Sequence, residues 1–233
     1  MIYQHRLVLA RSGRLEKRHV AFQETALAAL DGHGSVLIGA WEVWVGPDAG
    51  GAVYQMRQFN SLADWEQHQE RVRQDNALVA TRNATLYPHL DYVETAIVRM
   101  ADGIAPLTTT WPSIESVRGQ PTGIVEQRIL HFRPGRAQIH HGLYREQVLP
   151  ALEADGVTAL GLFDTVIGPG TSNANSHRSV ELRRFDSLAT WERWRSRQDT
   201  DAQLRQLMKT DWLQTVERVD SVLMRPLDYS RMR

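Results

Sequence analysis

Thirteen residues at the start of the chain, Ile2–Arg14, return in kind at Ile124–Arg136, 122 positions later (124 − 2 = 122). The same offset joins Arg6 to Arg128, Gly13 to Gly135, His19 to His141, Phe22 to Tyr144, Gly39 to Gly161 and Glu42 to Asp164. It becomes 126 (185 − 59) where Phe59-Asn-Ser-Leu-Ala-Asp-Trp-Glu66 meets Phe185-Asp-Ser-Leu-Ala-Thr-Trp-Glu192, because four residues have entered the second Gly-Pro loop. A gap confined to a turn, with both flanks still in register, is what duplication of a folded unit leaves behind. The 233 residues are therefore expected to fold as two similar halves. The boundaries read 1–101 and 123–233, with a Pro-, Thr- and Ser-rich linker at 102–122 and Trp111 tucked against a domain surface.

Each half carries the same alternation of periods. Strand patterns at Ile2–Leu9 and Ile124–Phe132 are followed by Ser12-Gly13 and Pro134-Gly135 breaks. Helical stripes come next, Leu15, His19, Phe22, Ala26 and Leu30 in one half and Ala137, His141, Tyr144, Val148 and Leu152 in the other. Strand runs at 36–45 and 158–167 end in Gly-Pro turns, and third strands return at 53–59 and 179–185. Ser61 and Ser187 then cap second helices that break near 74–75 and 199–200, before closing strands at 91–99 and 213–224. The order is β-α-β-β-α-β twice, an α+β fold of two ferredoxin-like repeats. A four-stranded antiparallel sheet with helices on one face needs its other face covered. The duplicate sheet is the expected cover, giving an intramolecular eight-stranded α/β-barrel with a cavity between the sheets.

Composition excludes several function classes. Net charge is zero, which gives no field favouring nucleic acid or an anionic membrane. No apolar run is long enough to insert into a bilayer and no leader is visible, so a cytoplasmic location is expected. Cysteine is absent, which removes thiolate catalysis and thiolate metal sites. Lysine occurs only at Lys17 and Lys209, so Schiff-base chemistry and a phosphate-binding Gly-Lys loop are not expected.

Ile2-Tyr-Gln-His-Arg6 with Ser12-Gly13, Gly39-Ala-Trp41, Phe59-Asn-Ser-Leu-Ala63 and the closing Met224-Arg-Pro-Leu227 resemble the NIPSNAP family of the dimeric α/β-barrel superfamily. The second copy adds Ile124–Gly135 and Phe185–Ala189, so the resemblance spans nearly the whole chain apart from the linker. It implies the tandem α/β-barrel, and vesicular or mitochondrial roles rather than one reaction. The chain departs from the family pattern at Gln4, where Glu is common, and at Arg57 and Arg183, where an aromatic is usual.

Period two places Gln4 and Arg6 on one strand face, with Glu126 and Arg128 as their copies; Gln55 and Arg57 pair likewise with Glu181 and Arg183. The resemblance implies that this face looks into the cavity between the sheets. Buried guanidinium groups require carboxylates or an anionic ligand. Two readings follow: a self-satisfied ion-pair network, or a pocket clamping a carboxylate or enolate-like oxygen with Glu126 or Glu181 as catalytic base and Gln4, Arg6, Gln55, Arg57, Arg128 and Arg183 as ligand-binding groups. Glutamates in the second repeat, against Gln4 and Gln55 in the first, make the second end of the pocket the chemically active one. Glu42 and Asp164 either add acids to this pocket or salt-bridge helix residues, the latter favoured. The histidines lack metal-ligand spacing; His19 and His141 fit packing roles, and Trp65 and Trp191 fit the core.

The expected function is binding, and in an enzyme conversion, of a small hydrophobic compound with an anionic or carbonyl oxygen. No metal or cofactor is expected, and proton transfer, isomerisation or oxygenation would all suit. The alternative is a noncatalytic scaffold or protein-interaction module. Homo-oligomerisation through sheet edges is compatible with either.

Overall fold

The computed structural model describes residues 1–102, 104, 111–168 and 178–233. The second Gly-Pro loop beyond Gly168, together with His177, and Pro106 of the linker fall outside them. The chain runs β1 (Ile2–Ala10), α1 (Leu15–Ala21), a π-helical turn at Phe22–Ala26, α2 (Leu27–Gly32), β2 (Val36–Val45), β3 (Ala52–Phe59), α3 (Leu62–Gln74), α4 (Asn76–Thr85) and β4 (Leu90–Met100). After a short α5 (Ile114–Val117) the order recurs as β5 (Ile124–Phe132), α6 (Ala137–Leu143), a π-helical turn at Tyr144–Val148, α7 (Leu149–Ala154), β6 (Thr158–Ile167) and β7 (Arg178–Phe185). The copy ends with α8 (Leu188–Thr200), α9 (Ala202–Gln206) and β8 (Val216–Pro226).

Side chains set these boundaries. Ser61 accepts from the Asp64 amide at 3.1 Å and Ser187 from the Thr190 amide at 3.2 Å, satisfying first-turn donors of α3 and α8. The breaks in both second helices are aspartate caps: Asp75 accepts from Leu78 N at 2.9 Å, and Asp201 from Gln203 N at 2.9 Å and Leu204 N at 3.1 Å. The last strand starts at Val216 rather than at Leu213, because a π-helical turn at Leu207–Asp211 runs on into a turn closed by Thr215 N on the Trp212 carbonyl (2.8 Å).

Two compact units form. One contains Met1–Ile97, Thr110–Gln120 and Arg225–Met232; the other contains Val98–Thr109, Pro121–Met224 and Arg233. The units are thus not coextensive with the two sequence repeats. The final segment belongs to the first unit, where Leu227 N and Met232 N donate to the carbonyls of Ala40 (2.9 Å) and Ile38 (2.7 Å). Trp111 also joins this unit, its indole N–H donating to Gln58 Oε1 at 2.5 Å.

In the first unit β3 lies between β1 and β2, all antiparallel, with Gln4 opposite Arg57, Arg6 opposite Gln55, and Leu37 and Ala40 continuing these rows on β2. In the second unit the order is β8-β5-β7-β6, with Glu126 opposite Arg183 and Arg128 between Glu181 and Ser221. Helices cover one face of each sheet. The first core joins Phe22, Leu30, Val72 and Leu86 to Leu37 and Ala40. The second joins Tyr144, Leu152, Trp194 and Trp212 to Leu162 and Phe185. Burial of each large apolar side chain of this kind contributes about 1.5–3 kcal/mol. The second strands bulge at matching places, Gly39 and Gly161, where a Cβ would stand 1.9 Å from the Trp41 ring or 2.6 Å from the Phe163 ring. Glycine is required there by close approach.

Candidate functional site

The eight paired positions read from the repeat come together as two groups of four, one in each unit, and the groups are chemically unlike. In the second unit Glu181 is fully buried and accepts from Arg183 Nε at 2.5 Å and from Arg128 at 3.2 Å. Glu126, also buried, lies 3.8 Å from Arg183 and accepts from Trp191 Nε1 at 3.3 Å and Ser221 Oγ at 3.2 Å. Two acids thus face two arginines. The guanidinium of Arg128 lies 4.5 Å from the Trp212 ring centre, and that of Arg183 lies 5.8 Å from those of Trp194 and Trp212. Burial alone would lower Arg183, but Glu181 and Glu126 more than offset it and hold its pKa above the ordinary value. Burial, reinforced by Glu181, holds the Tyr144 phenol well above its usual range.

In the first unit the glutamates are replaced by Gln4 and Gln55, and several surrounding residues differ. Past Phe59 the offset of 126 aligns His68 with Trp194, Leu86 with Trp212, Arg82 with Met208 and Thr95 with Ser221. Two tryptophans have given way to an imidazole and a leucine, and the imidazole lines the space so left. The result is a cavity of about 280 Å³ lined by Gln4, Arg6, Leu30, Arg57, Trp65, His68, Gln69, Val72, Arg82 and Thr95. Its lining contains three arginines and no carboxylate. Arg57 reaches Asp31 at 2.9 Å and Ser35 at 2.6 Å, but its other terminal nitrogen is buried without a partner among the described residues. Arg6 Nε, Gln55 Nε2 and Trp65 Nε1 are likewise buried with no partner among the described residues. Burial first, then Arg82, Arg57 and Arg18, lower Arg6 to about 10. Burial also lowers Arg57, although Asp31 opposes it. Arg82 stacks on Tyr87 at 5.1 Å.

The face these residues occupy corrects the placement expected between the two sheets. Gln4, Arg6 and Arg57 line a cavity with α2, α3 and α4 residues, and Phe59, in the same row as Arg57, meets His68 of α3 at 5.3 Å. They therefore sit on the helix-covered face of their own sheet. The row they share with Leu37 and Ala40 is the one whose apolar members pack on helices. Asp164 accepts from Ser179 at 2.5 Å and lies 3.1 Å from His141 of α6, the helix-directed role. Glu42 is partly buried on β2, in the row of Val53. His19 Nδ1 lies 2.9 Å from the Tyr229 hydroxyl, and His140 Nδ1 lies 2.9 Å from the Thr215 hydroxyl. Among the described residues no group of three His, Cys, Asp or Glu is gathered as a metal would need, and no helix is long and apolar enough to cross a membrane.

Residue-by-residue reading of the strands missed His68, Arg82 and Trp65 as cavity residues. The signal lay in replacements across the repeat: His for Trp at 68 and Arg for Met at 82.

Solved structures of low sequence identity share this fold over almost the whole chain. The chain is similar over 97% of its length to a solved anthrone oxidase-like protein, with a TM-score of 0.64, 12% identity and 91% of that protein covered. A putative monooxygenase from Fusobacterium nucleatum is similar over the same 97%, with a TM-score of 0.63, 10% identity and 92% coverage of its own chain. The NIPSNAP family model matches residues 125–231. An uncharacterised NIPSNAP domain protein from Burkholderia xenovorans matches 44% of this chain and 97% of its own at 17% identity, with a TM-score of 0.41. No curated protein matches the chain.

Proposed function

We propose that the chain is a tandem pair of ferredoxin-like units whose work has divided: the second unit is a closed structural partner, and the first binds a small organic anion. The observation carrying this reading is the first-unit cavity, where Arg6, Arg57 and Arg82 converge without a carboxylate in the lining. Unpaired guanidinium donors in a partly dry site favour a planar two-oxygen anion, a carboxylate or enolate. Leu30, Val72 and Trp65 supply an apolar wall for its carbon skeleton. Space for about nine waters at ~30 Å³ each sets the scale of the ligand. In this reading Gln4 and Gln55 orient the bound oxygen, while Glu126 and Glu181 act as counter-ions to Arg128 and Arg183.

The test is calorimetric titration of the whole protein with phenylpyruvate, benzoate and inorganic phosphate. A carboxylate is expected to bind, with affinity at least tenfold weaker in Arg6→Gln and Arg57→Gln. Absence of binding by all three, or unchanged affinity in both variants, overturns the reading in favour of a noncatalytic scaffold.

A further inference from the structure

His68 shares the cavity with the arginines and is held in one orientation. It lies on α3, 2% exposed, with its ring edge-on to Phe59 at 5.3 Å and 62°. Its Nδ1 stands 3.2 Å from the carbonyl oxygen of His33. A carbonyl oxygen only accepts, so Nδ1 carries the hydrogen and Nε2 carries the lone pair. The groups facing the imidazole are the Arg57 guanidinium from β3, Arg71 from α3 and His33 from the turn after α2, with Arg6 and Arg82 elsewhere in the lining. None is acidic. Burial, and then Arg57, His33 and Arg71, lower its pKa to about 4 against the opposing pull of the His33 carbonyl. The ring is therefore neutral at neutral pH, and an arriving anion strengthens it as a base by cancelling that positive field.

We propose that His68 is the proton acceptor of this cavity, removing a proton from the carbon next to a carbonyl or carboxylate held by Arg6 and Arg57. The C–H bond breaks, its proton passes to Nε2, and its electron pair moves to oxygen as an enolate stabilised by the guanidinium groups. Return of the proton to the same carbon gives exchange, and its delivery to the enolate oxygen completes a keto–enol tautomerisation, with no oxidant or reductant consumed. The substrate class is a small 2-oxo or 3-oxo acid bearing an apolar group. This assignment rests on the anion-binding reading above, and the second unit, with Trp194 at the matching position, lacks the base.

The experiment follows loss of the phenylpyruvate C3 proton signal in D2O by proton NMR, alongside calorimetric affinity. His68→Asn keeps a donor for the His33 carbonyl but removes the acceptor nitrogen. The wild-type chain is expected to speed exchange above the buffer rate, and His68→Asn to slow it by ~100-fold or more with affinity changed less than about threefold. The wild-type rate should also fall on acidification along a single-proton curve, a readout that does not depend on the variant folding. Binding without exchange above buffer, or equal rates in wild type and His68→Asn, overturns the assignment. Absence of binding by the wild-type chain strikes the anion-site reading instead.

Discussion

Trp191 donates its indole N–H to the Glu126 carboxylate across 3.3 Å, whereas its repeat mate Trp65, beside Gln4 rather than a glutamate, has a buried indole nitrogen with no partner among the described residues. One acid-to-amide difference separates the two corners. With the second at Gln55 and Glu181, it turns a balanced set of two acids and two arginines into two arginines with no acid in the set, of which Arg57 turns to Asp31 instead. A duplicated scaffold allows this, because the second copy preserves a self-satisfied core while the first carries unmet donors at some cost in stability.

Equivalent arginines should therefore respond to substitution with opposite signs. Arg6→Met removes a largely buried cation with no acid in its cavity and should raise stability by about 1 kcal/mol. Arg128→Met strips Glu181 of one partner in a fully buried setting and should lower stability by about 3–5 kcal/mol. Urea unfolding of both variants checks this. Equal destabilisation would mean that Arg6 is satisfied after all.

Restoring the acid should close the site. Gln55→Glu places a carboxylate opposite Arg6, as Glu181 stands opposite Arg128. Carboxylate binding should weaken by at least tenfold while the unfolding midpoint holds or rises. His68→Trp, copying Trp194, should abolish binding by filling the cavity. Retained affinity in both variants, measured by calorimetry, would place the ligand elsewhere.

The bulge glycines give a stability prediction independent of ligand. Gly39→Ala forces a methyl group into the Trp41 ring and should cost about 1–3 kcal/mol through overpacking. Gly161→Ala adds an unfavourable φ of 152° to the same clash with Phe163 and should cost at least as much. Denaturant midpoints with unchanged slopes would confirm that the native state alone is affected.

Much of the architecture was legible in the chain because duplication prints each element twice. The bounds 36–45 and 158–167 are the observed bounds of β2 and β6, and the helix breaks fall at or beside Asp75 and Asp201. The face of the charged rows was not legible, since these strands carry polar and apolar residues on both sides and period two cannot say which side helices cover. The π-helical turn at Leu207–Asp211 hid the start of β8 for a similar reason, as strand and helix periods blur over five residues. The candidate site was half legible. Arg6 and Arg57 were visible on their strands, but the cavity is completed by His68, where the repeat has Trp194, and this shows only when helices are compared across the repeat.

Acid should destabilise the protein through its buried histidines. Burial lowers His140 to about 3 and His19 and His68 to about 4, below an ordinary value of 6.5. Between these limits the unfolded chain binds protons that the folded chain does not. Stability from this source is complete above about pH 6.5 and is lost as pH falls toward 4 and then 3. Proton uptake on unfolding near pH 5 should approach three, and His140→Asn should reduce it by about one. Stability that stays flat from pH 6.5 to 4.5 would show that these rings are already charged in the fold.

The most direct measurement is a crystal structure of the protein grown with phenylpyruvate. The expected result is ligand density in the first-unit cavity, with carboxylate or carbonyl oxygens within hydrogen-bond distance of Arg6 and Arg57 and the C3 carbon facing His68. Density at saturating ligand showing only water there, or an endogenous acid paired with both arginines, would contradict an anion site in the first unit.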